Sequence, residues 1–215
     1  MPDGSENGLL KLYTTPTSPY GRIVRVVLRE LGQRERFEEI VPITRQPGSP
    51  YYDLNPSGRI PYLLLPDGTA FEGSNLICDY IDAIDEAPRL SAPLGGDRWE
   101  YLRLEQSALA FMDGLAVWGR ELRRPDADRS AEILAHEAAR ANRCVAYWAA
   151  QTDHALVTGN LNRVQIILAV ALHLDHRIPA FAWRDRHPGL ADWLMPISLR
   201  RSFVDTDPKA PIGIA

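Results

Sequence analysis

Three features in the first third of the chain carry residue types suited to chemistry. Near the amino end, Thr14-Thr15-Pro16-Thr17-Ser18-Pro19-Tyr20-Gly21-Arg22 crowds hydroxyls into a turn between an apolar strand pattern and a helical one. Proline is favoured at the first position of a helix, so Ser18, immediately before Pro19, takes the N-cap place. A capping hydroxyl uses its oxygen as acceptor and keeps its proton to donate. Such a donor at the positive end of a helix stabilises an anion. An acidic group held there has its pKa lowered, at about 1.4 kcal/mol per pKa unit. Thr14, Thr15 and Thr17 compete for that role, and Ser18 ranks first because strand alternation leaves their directions open.

The second feature is Arg59-Ile60-Pro61-Tyr62-Leu63-Leu64-Leu65, a proline opening an apolar strand. Proline has no backbone donor, so at a strand's first position it serves the geometry before it. Local sequence alone favours a trans Ile60-Pro61 bond, since only about 5% of such bonds in folded proteins are cis. The third is Glu72-Gly73-Ser74, where Ser74 opens a helical pattern and reads, by itself, as an N-cap. Elsewhere chemistry is sparse. The five histidines, His136, His154, His173, His176 and His187, lack ligand spacing to a carboxylate or cysteine cluster, so no metal is expected. A Gly-rich phosphate loop and a Gly-x-Ser-x-Gly elbow are both missing. Cys78 and Cys144 stand far apart within helical patterns, which argues against a disulfide scaffold.

The elements that must position these residues follow from periodicity. Leu9 to Thr15 reads as a strand, and Arg22 to Leu31 as a helix with Ile23, Val26, Val27 and Leu31 on one face, ended by Gly32. Phe37 to Ile43 reads as a second strand, which makes a right-handed parallel crossover. Gln46 to Gly58 is loop-like. Strands over Ile60 to Leu65 and Thr69 to Phe71 flank the Asp67-Gly68 turn, and a helix runs from Ser74 to about Ile84. The order β-α-β, long connection, β-β-α is the thioredoxin-like arrangement. Residues 85 to 97, rich in proline and glycine, read as a linker.

Beyond the linker the pattern is helical: Trp99 to Leu122 with Leu102, Leu109, Met112 and Leu115 in a stripe and Glu105 and Glu121 offset from it, then Ser130 to Gln151 and Asn162 to Leu174. Asn162 and Gln165 have capping-box spacing, each able to satisfy a donor at the helix start. Pro188 to Met195 and Ser198 to Val204 are shorter helices.

Composition sets the class. The chain has 215 residues, 45% apolar and 24% charged, which suits a folded globular protein of one large or two small domains. A net charge of −4 argues against a general nucleic-acid partner. Residues 1 to 8 lack the order of a signal peptide and read as a short disordered leader, and no apolar run approaches a membrane span. A cytoplasmic protein is expected.

Taken together, Leu12-Tyr13 through Arg22, Asn55-Pro56-Ser57-Gly58-Arg59-Ile60-Pro61, and Ser74-Asn75-Leu76-Ile77-Cys78-Asp79-Tyr80-Ile81-Asp82 resemble the glutathione S-transferase family over roughly residues 9 to 208. Bacterial members with Ser-Pro-Tyr or Ser-Pro-Phe after the first strand are the most similar. The resemblance implies an α/β thioredoxin-like domain over 9–85 that binds glutathione and an all-α domain over 98–208, in a homodimer. It implies a cis Pro61 that bares the Ile60 backbone to pair with the cysteinyl part of glutathione. Ser18 matches the residue that activates the sulfur and Ser74 the one that holds the γ-glutamyl group, while Arg59 either pairs with a ligand carboxylate, as the matching residue often does, or is a solvated loop arginine.

Two departures matter. The family's acidic residue before the serine is replaced by Gly73, leaving Glu72, one position earlier, as the substitute; and Gln165 stands where the family commonly has aspartate. Tyr13 precedes the position used by tyrosine-dependent members, where this chain has Thr14, and is read as a packing aromatic. Phe111, Met112, Leu115 and Trp118 are either core or the lining of an apolar cosubstrate pocket. The function implied is a transferase that binds glutathione, stabilises its thiolate at Ser18 and directs it onto an apolar electrophile. The alternative is a noncatalytic protein of the same fold, used for binding or assembly.

Overall fold

A computed structural model describes residues 8–85 and 89–208. The leader expected over 1 to 8 lies almost wholly outside the described residues, as do positions 86–88 of the expected linker. The chain divides into two compact units, Met1–Pro88 with Val204–Ala215, and Arg89–Phe203.

The first unit is built on a four-stranded sheet. Its elements are β1 (Leu10–Tyr13), α1 (Pro19–Glu30), β2 (Phe37–Ile40), α2 (Tyr51–Leu54), β3 (Tyr62–Leu64), β4 (Ala70–Glu72) and α3 (Ser74–Asp82). The strand order is β2-β1-β3-β4, with β1 parallel to β2 and antiparallel to β3, and β3 antiparallel to β4. Leu12 and Leu63, register partners in the central strands, are fully buried, as are Ile23, Val26 and Val27 of α1 and Ile77 of α3.

Local chemistry accounts for α1. Ser18 caps it by accepting the Gly21 N–H at 3.1 Å, and Pro19 fills the first position. At its end the Gln33 N–H reaches the Leu28 carbonyl and the Gly32 N–H reaches that of Arg29, the paired bonds of a Schellman stop, with Gly32 at φ 68. Every residue from Gly21 to Leu28 is buried, including two arginines. Arg25 survives there because Glu39 of β2, itself buried, accepts from it at 2.7 Å and also pairs with Arg29 at 3.1 Å and Arg34 at 3.2 Å. Arg22 reaches Thr206 in the returning carboxyl-terminal segment at 3.5 Å.

Boundaries depart from the sequence pattern in a consistent way. β2 stops at Ile40 although Val41 and Ile43 are apolar, and both of these are exposed. β3 is three residues long, because Ile60 and Pro61 lie before the ladder. The loop expected over 46–58 contains α2, one helical turn whose Tyr51 is buried.

The second unit is helical: α4 (Arg98–Glu121), α5 (Ala131–Ala149), α6 (Ala155–Thr158), α7 (Arg163–Leu172) and α8 (Pro188–Ser198), with α9 (Arg201–Val204) ending at its boundary. All of α7 is buried, flanked by α4. The expectation that Glu105 and Glu121 lie off the buried stripe is corrected, since both are buried. Glu105 forms a two-pronged ion pair with the equally buried Arg163 of α7, and Glu121 accepts the Ser130 N–H at 2.6 Å. A charge repeats at helical spacing as readily as a leucine, and only its partner on another helix shows which way it faces.

The capping box at α7 is corrected in one half. Asn162 does accept the Gln165 N–H at 3.2 Å, but the Gln165 side chain turns outward from the helix and donates to the carbonyls of Leu156, Gly159 and Asn160 at 3.1, 3.2 and 3.1 Å. Phe111, Met112, Leu115 and Trp118 are buried, with Phe111 and Trp118 edge-on to Phe181. They are core within this unit. No helix among the described residues is long and apolar enough to cross a membrane.

Candidate active site at one edge of the sheet

Strand direction brings the three sequence features to one edge. In the antiparallel pairs Tyr13 lies opposite Tyr62 and Tyr62 opposite Glu72, so the end of β1, the start of β3 and the end of β4 coincide. The chain leaving β1 runs into Ser18 and α1; Ile60 and Pro61 enter β3; and Gly73 and Ser74 leave β4 into α3. Two helix N-termini therefore start from the same edge of the sheet, which favours negative charge there.

At the first corner, Ser18 is partly exposed and its oxygen is engaged by Gly21. Thr14 is different: it is 0% exposed and its Oγ1 meets no hydrogen-bond partner among the described residues. It is pressed against α1 so closely that a Cβ on Gly21 would come within 2.0 Å of it, which makes Gly21 a requirement of this packing. Tyr13 packs its ring against Tyr51 and Tyr62, at centroid distances of 5.5 and 6.2 Å.

At the second corner the Ile60-Pro61 bond is cis. Ile60 stands outside the strand and its N–H makes no hydrogen bond among the described residues. The peptide before it is held firmly. Tyr51 Oη donates to the Arg59 carbonyl at 2.6 Å and Asn55 Nδ2 donates to the same oxygen at 2.9 Å. Burial pushes the Tyr51 phenol up to about 12, with Asn55 pulling it back. Ser57 accepts the Arg59 N–H at 3.1 Å and donates to Glu72 at 2.5 Å, and the Arg59 side chain is exposed. The roles of Tyr51, Asn55 and Ser57 are not legible in the sequence pattern; the available signal is the four-residue spacing of Tyr51 and Asn55, which puts them on one side of a helical turn.

At the third corner Gly73, not Ser74, occupies the N-cap place of α3, with φ 93 and ψ 133 and no side-chain cap. That replaces the expectation that Ser74 caps the helix: it is the first helical residue and only 6% exposed. The N–H groups of the first turn accordingly have no capping side chain over them. Glu72 is exposed and bonded to Ser57. Among the described residues no group of three or more His, Cys, Asp or Glu is placed to hold a metal.

A β-α-β, β-β-α sheet with a cis-proline at the head of its third strand, followed in sequence by a helical unit, defines a thioredoxin-like domain with an all-α partner. Comparisons with known proteins agree. The model described as glutathione S-transferase, N-terminal domain, matches residues 12–89. Over 204 residues, 93% of this chain and 98% of the other, the sequence is 30% identical to the uncharacterized GST-like protein YibF of Escherichia coli strain K12. A glutathione transferase family member of Pseudomonas fluorescens Pf-5, crystallised with bound glutathione, superposes with a TM-score of 0.83 at 32% identity, covering 94% of this chain and all of that one. A glutathione S-transferase of Methylobacillus flagellatus KT with glutathione bound gives 0.81 at 27%, covering 94% and 100%. The chain belongs to the glutathione S-transferase family.

Proposed function

We propose that this protein is a glutathione transferase, binding glutathione at the sheet edge and directing its thiolate onto an apolar electrophilic small molecule. The observation that carries this is the Ile60 N–H, which makes no hydrogen bond among the described residues, at the same end of the sheet from which the chain leaves β1 toward Ser18. The cysteinyl backbone pairs in antiparallel fashion with Ile60, whose geometry Pro61 sets. Ser18 donates its free proton to the sulfur, lowering the thiol pKa, so the nucleophile comes from the cosubstrate and the protein supplies position and charge stabilisation. Ser74 and the uncapped start of α3 receive the γ-glutamyl carboxylate, Arg59 pairs with a ligand carboxylate, and Glu72 supplies the acid that Gly73 lacks. Glutathione-bound relatives at 27% to 32% identity support the ligand. Residues 9–85 form the glutathione-binding domain and 98–208 the helical domain of a cytoplasmic homodimer.

Gly73 favours a second reading, a binding or assembly protein without turnover. Calorimetry with glutathione, followed by conjugation assays on a panel of electrophiles, separates the two. Absence of heat at millimolar glutathione would overturn glutathione binding altogether; binding without conjugation of any electrophile would establish the second reading.

A further inference from the structure

The Arg59 carbonyl accepts hydrogen bonds from two buried side chains. Tyr51 and Asn55, 4% and 2% exposed, bring two donors onto that one oxygen, and neither belongs to the residues proposed to touch ligand. Asn55 Nδ2 also lies 3.4 Å from Tyr51 Oη, so the two donors form a single buried unit. Their anchoring is local. The Asn55 N–H bonds the Tyr51 carbonyl at 2.9 Å, the Tyr51 N–H bonds Ser49 Oγ at 3.2 Å, and the Tyr51 ring is flanked by Tyr13 and Tyr62.

The consequence lies at the other end of the same peptide. A planar trans peptide points its N–H opposite to its C=O, and Ile60-Pro61 being the cis bond among the described residues, the Arg59-Ile60 bond is trans. Two buried donors that draw the Arg59 oxygen inward therefore turn the Ile60 N–H away from them. Hydrogen bonding at a carbonyl also polarises its amide, so the N–H becomes a stronger donor as well as an oriented one. We infer that Tyr51 and Asn55 are positioning residues that aim and strengthen the Ile60 N–H as the donor to a ligand's backbone carbonyl, an inference that rests on the proposed binding of glutathione.

The test uses the full-length protein with Tyr51→Phe, which keeps the ring and removes the donor, and Asn55→Asp, which keeps the acceptor for the Ser57 N–H and removes the other donor. Each variant that melts cooperatively is expected to bind glutathione about fivefold more weakly, the equivalent of one lost hydrogen bond, with KM raised and kcat little changed. By NMR, the Ile60 amide proton should move downfield when glutathione is added to the parent protein and move less in the variants, a signature that a purely structural role would not produce. Folded variants with parental affinity and an undiminished Ile60 shift overturn the inference alone. A parent protein that binds no glutathione overturns the proposed function and this inference with it, and calorimetry on the parent tells the two failures apart. Should Tyr51→Phe fail to fold, Asn55→Asp carries the same comparison.

Discussion

Ser18 caps its helix through oxygen and its hydroxyl donates to no acceptor among the described residues, so a structural and a chemical role can share one hydroxyl without conflict. Thr14, one of its rivals, is sealed beneath Gly21 and faces no solvent. Ser18→Ala is expected to raise the pH at which bound glutathione shows thiolate absorbance and to cost about 1 kcal/mol of stability through the lost cap; an unchanged titration moves the role to Thr15, Thr17 or a backbone donor. Gly73 sits at φ 93 and ψ 133, an extended positive-φ conformation that residues with a Cβ rarely adopt and that strains them by about 1–3 kcal/mol. Open space surrounds it, so the cost is in the backbone alone. Gly73→Asp should therefore lower thermal stability by that amount while tightening glutathione in calorimetry. Unaltered affinity would show that Glu72 already provides the charge or that the site serves another ligand.

At the scale of elements, the start of α7 shows what one amide does that an acid cannot. Gln165 donates to the carbonyl of Leu156 in α6 and to those of Gly159 and Asn160 just after it, tying α6 and its turn to the buried helix. An aspartate or glutamate has no proton to give at neutral pH. Gln165→Glu, close in size, is expected to cost about 2–3 kcal/mol in urea unfolding, by losing those bonds and setting a carboxylate against carbonyl oxygens. α2 gives a pH-dependent counterpart. The Tyr51 phenol is raised from 10 to about 12 on folding, chiefly by burial, so the folded state holds a proton that the unfolded state has released between those values. Its contribution is fully present below pH 10 and is lost as pH rises toward 12. Stability measured across that window should fall less steeply in Tyr51→Phe than in the parent, whatever their difference at neutral pH.

At the scale of the whole molecule, the described residues after the helical unit, 204–208, return to the sheet domain. Thr206, fully buried, meets Arg22 of α1, and Asp207 supplies the charge that offsets part of the burial holding the Arg22 guanidinium down to about 10. Ending the chain at Phe203 removes both and leaves a buried cation with its neighbour Arg25. That truncation should destabilise the sheet domain selectively. All five tryptophans fall within Arg89–Phe203, so their fluorescence follows the helical unit. In the truncated protein the far-UV transition should start at lower urea than the tryptophan transition, and coincident, unshifted transitions would refute the coupling.

The sequence by itself determined the order of the strands and longer helices, the helix stop at Gly32 and the caps at Ser18 and Asn162, because turn and cap chemistry is written in neighbouring residues, while the one-turn helices α2 and α6 were not legible. It also marked Ser18, the Ile60-Pro61 pair and Ser74 as one family's pattern. Only the tertiary structure decided what depends on partners distant in sequence: that Glu105 faces Arg163 inside a helical core, that β2 ends before Val41, that Thr14 is closed off, and that Gly73 rather than Ser74 stands at the cap of α3. The clamp on the Arg59 carbonyl belongs to both. Tyr51 and Asn55 are spaced to act together, but their common target is a carbonyl in the irregular stretch after α2, where periodicity is silent, and the folded turn between Asn55 and Arg59 is what brings it to them.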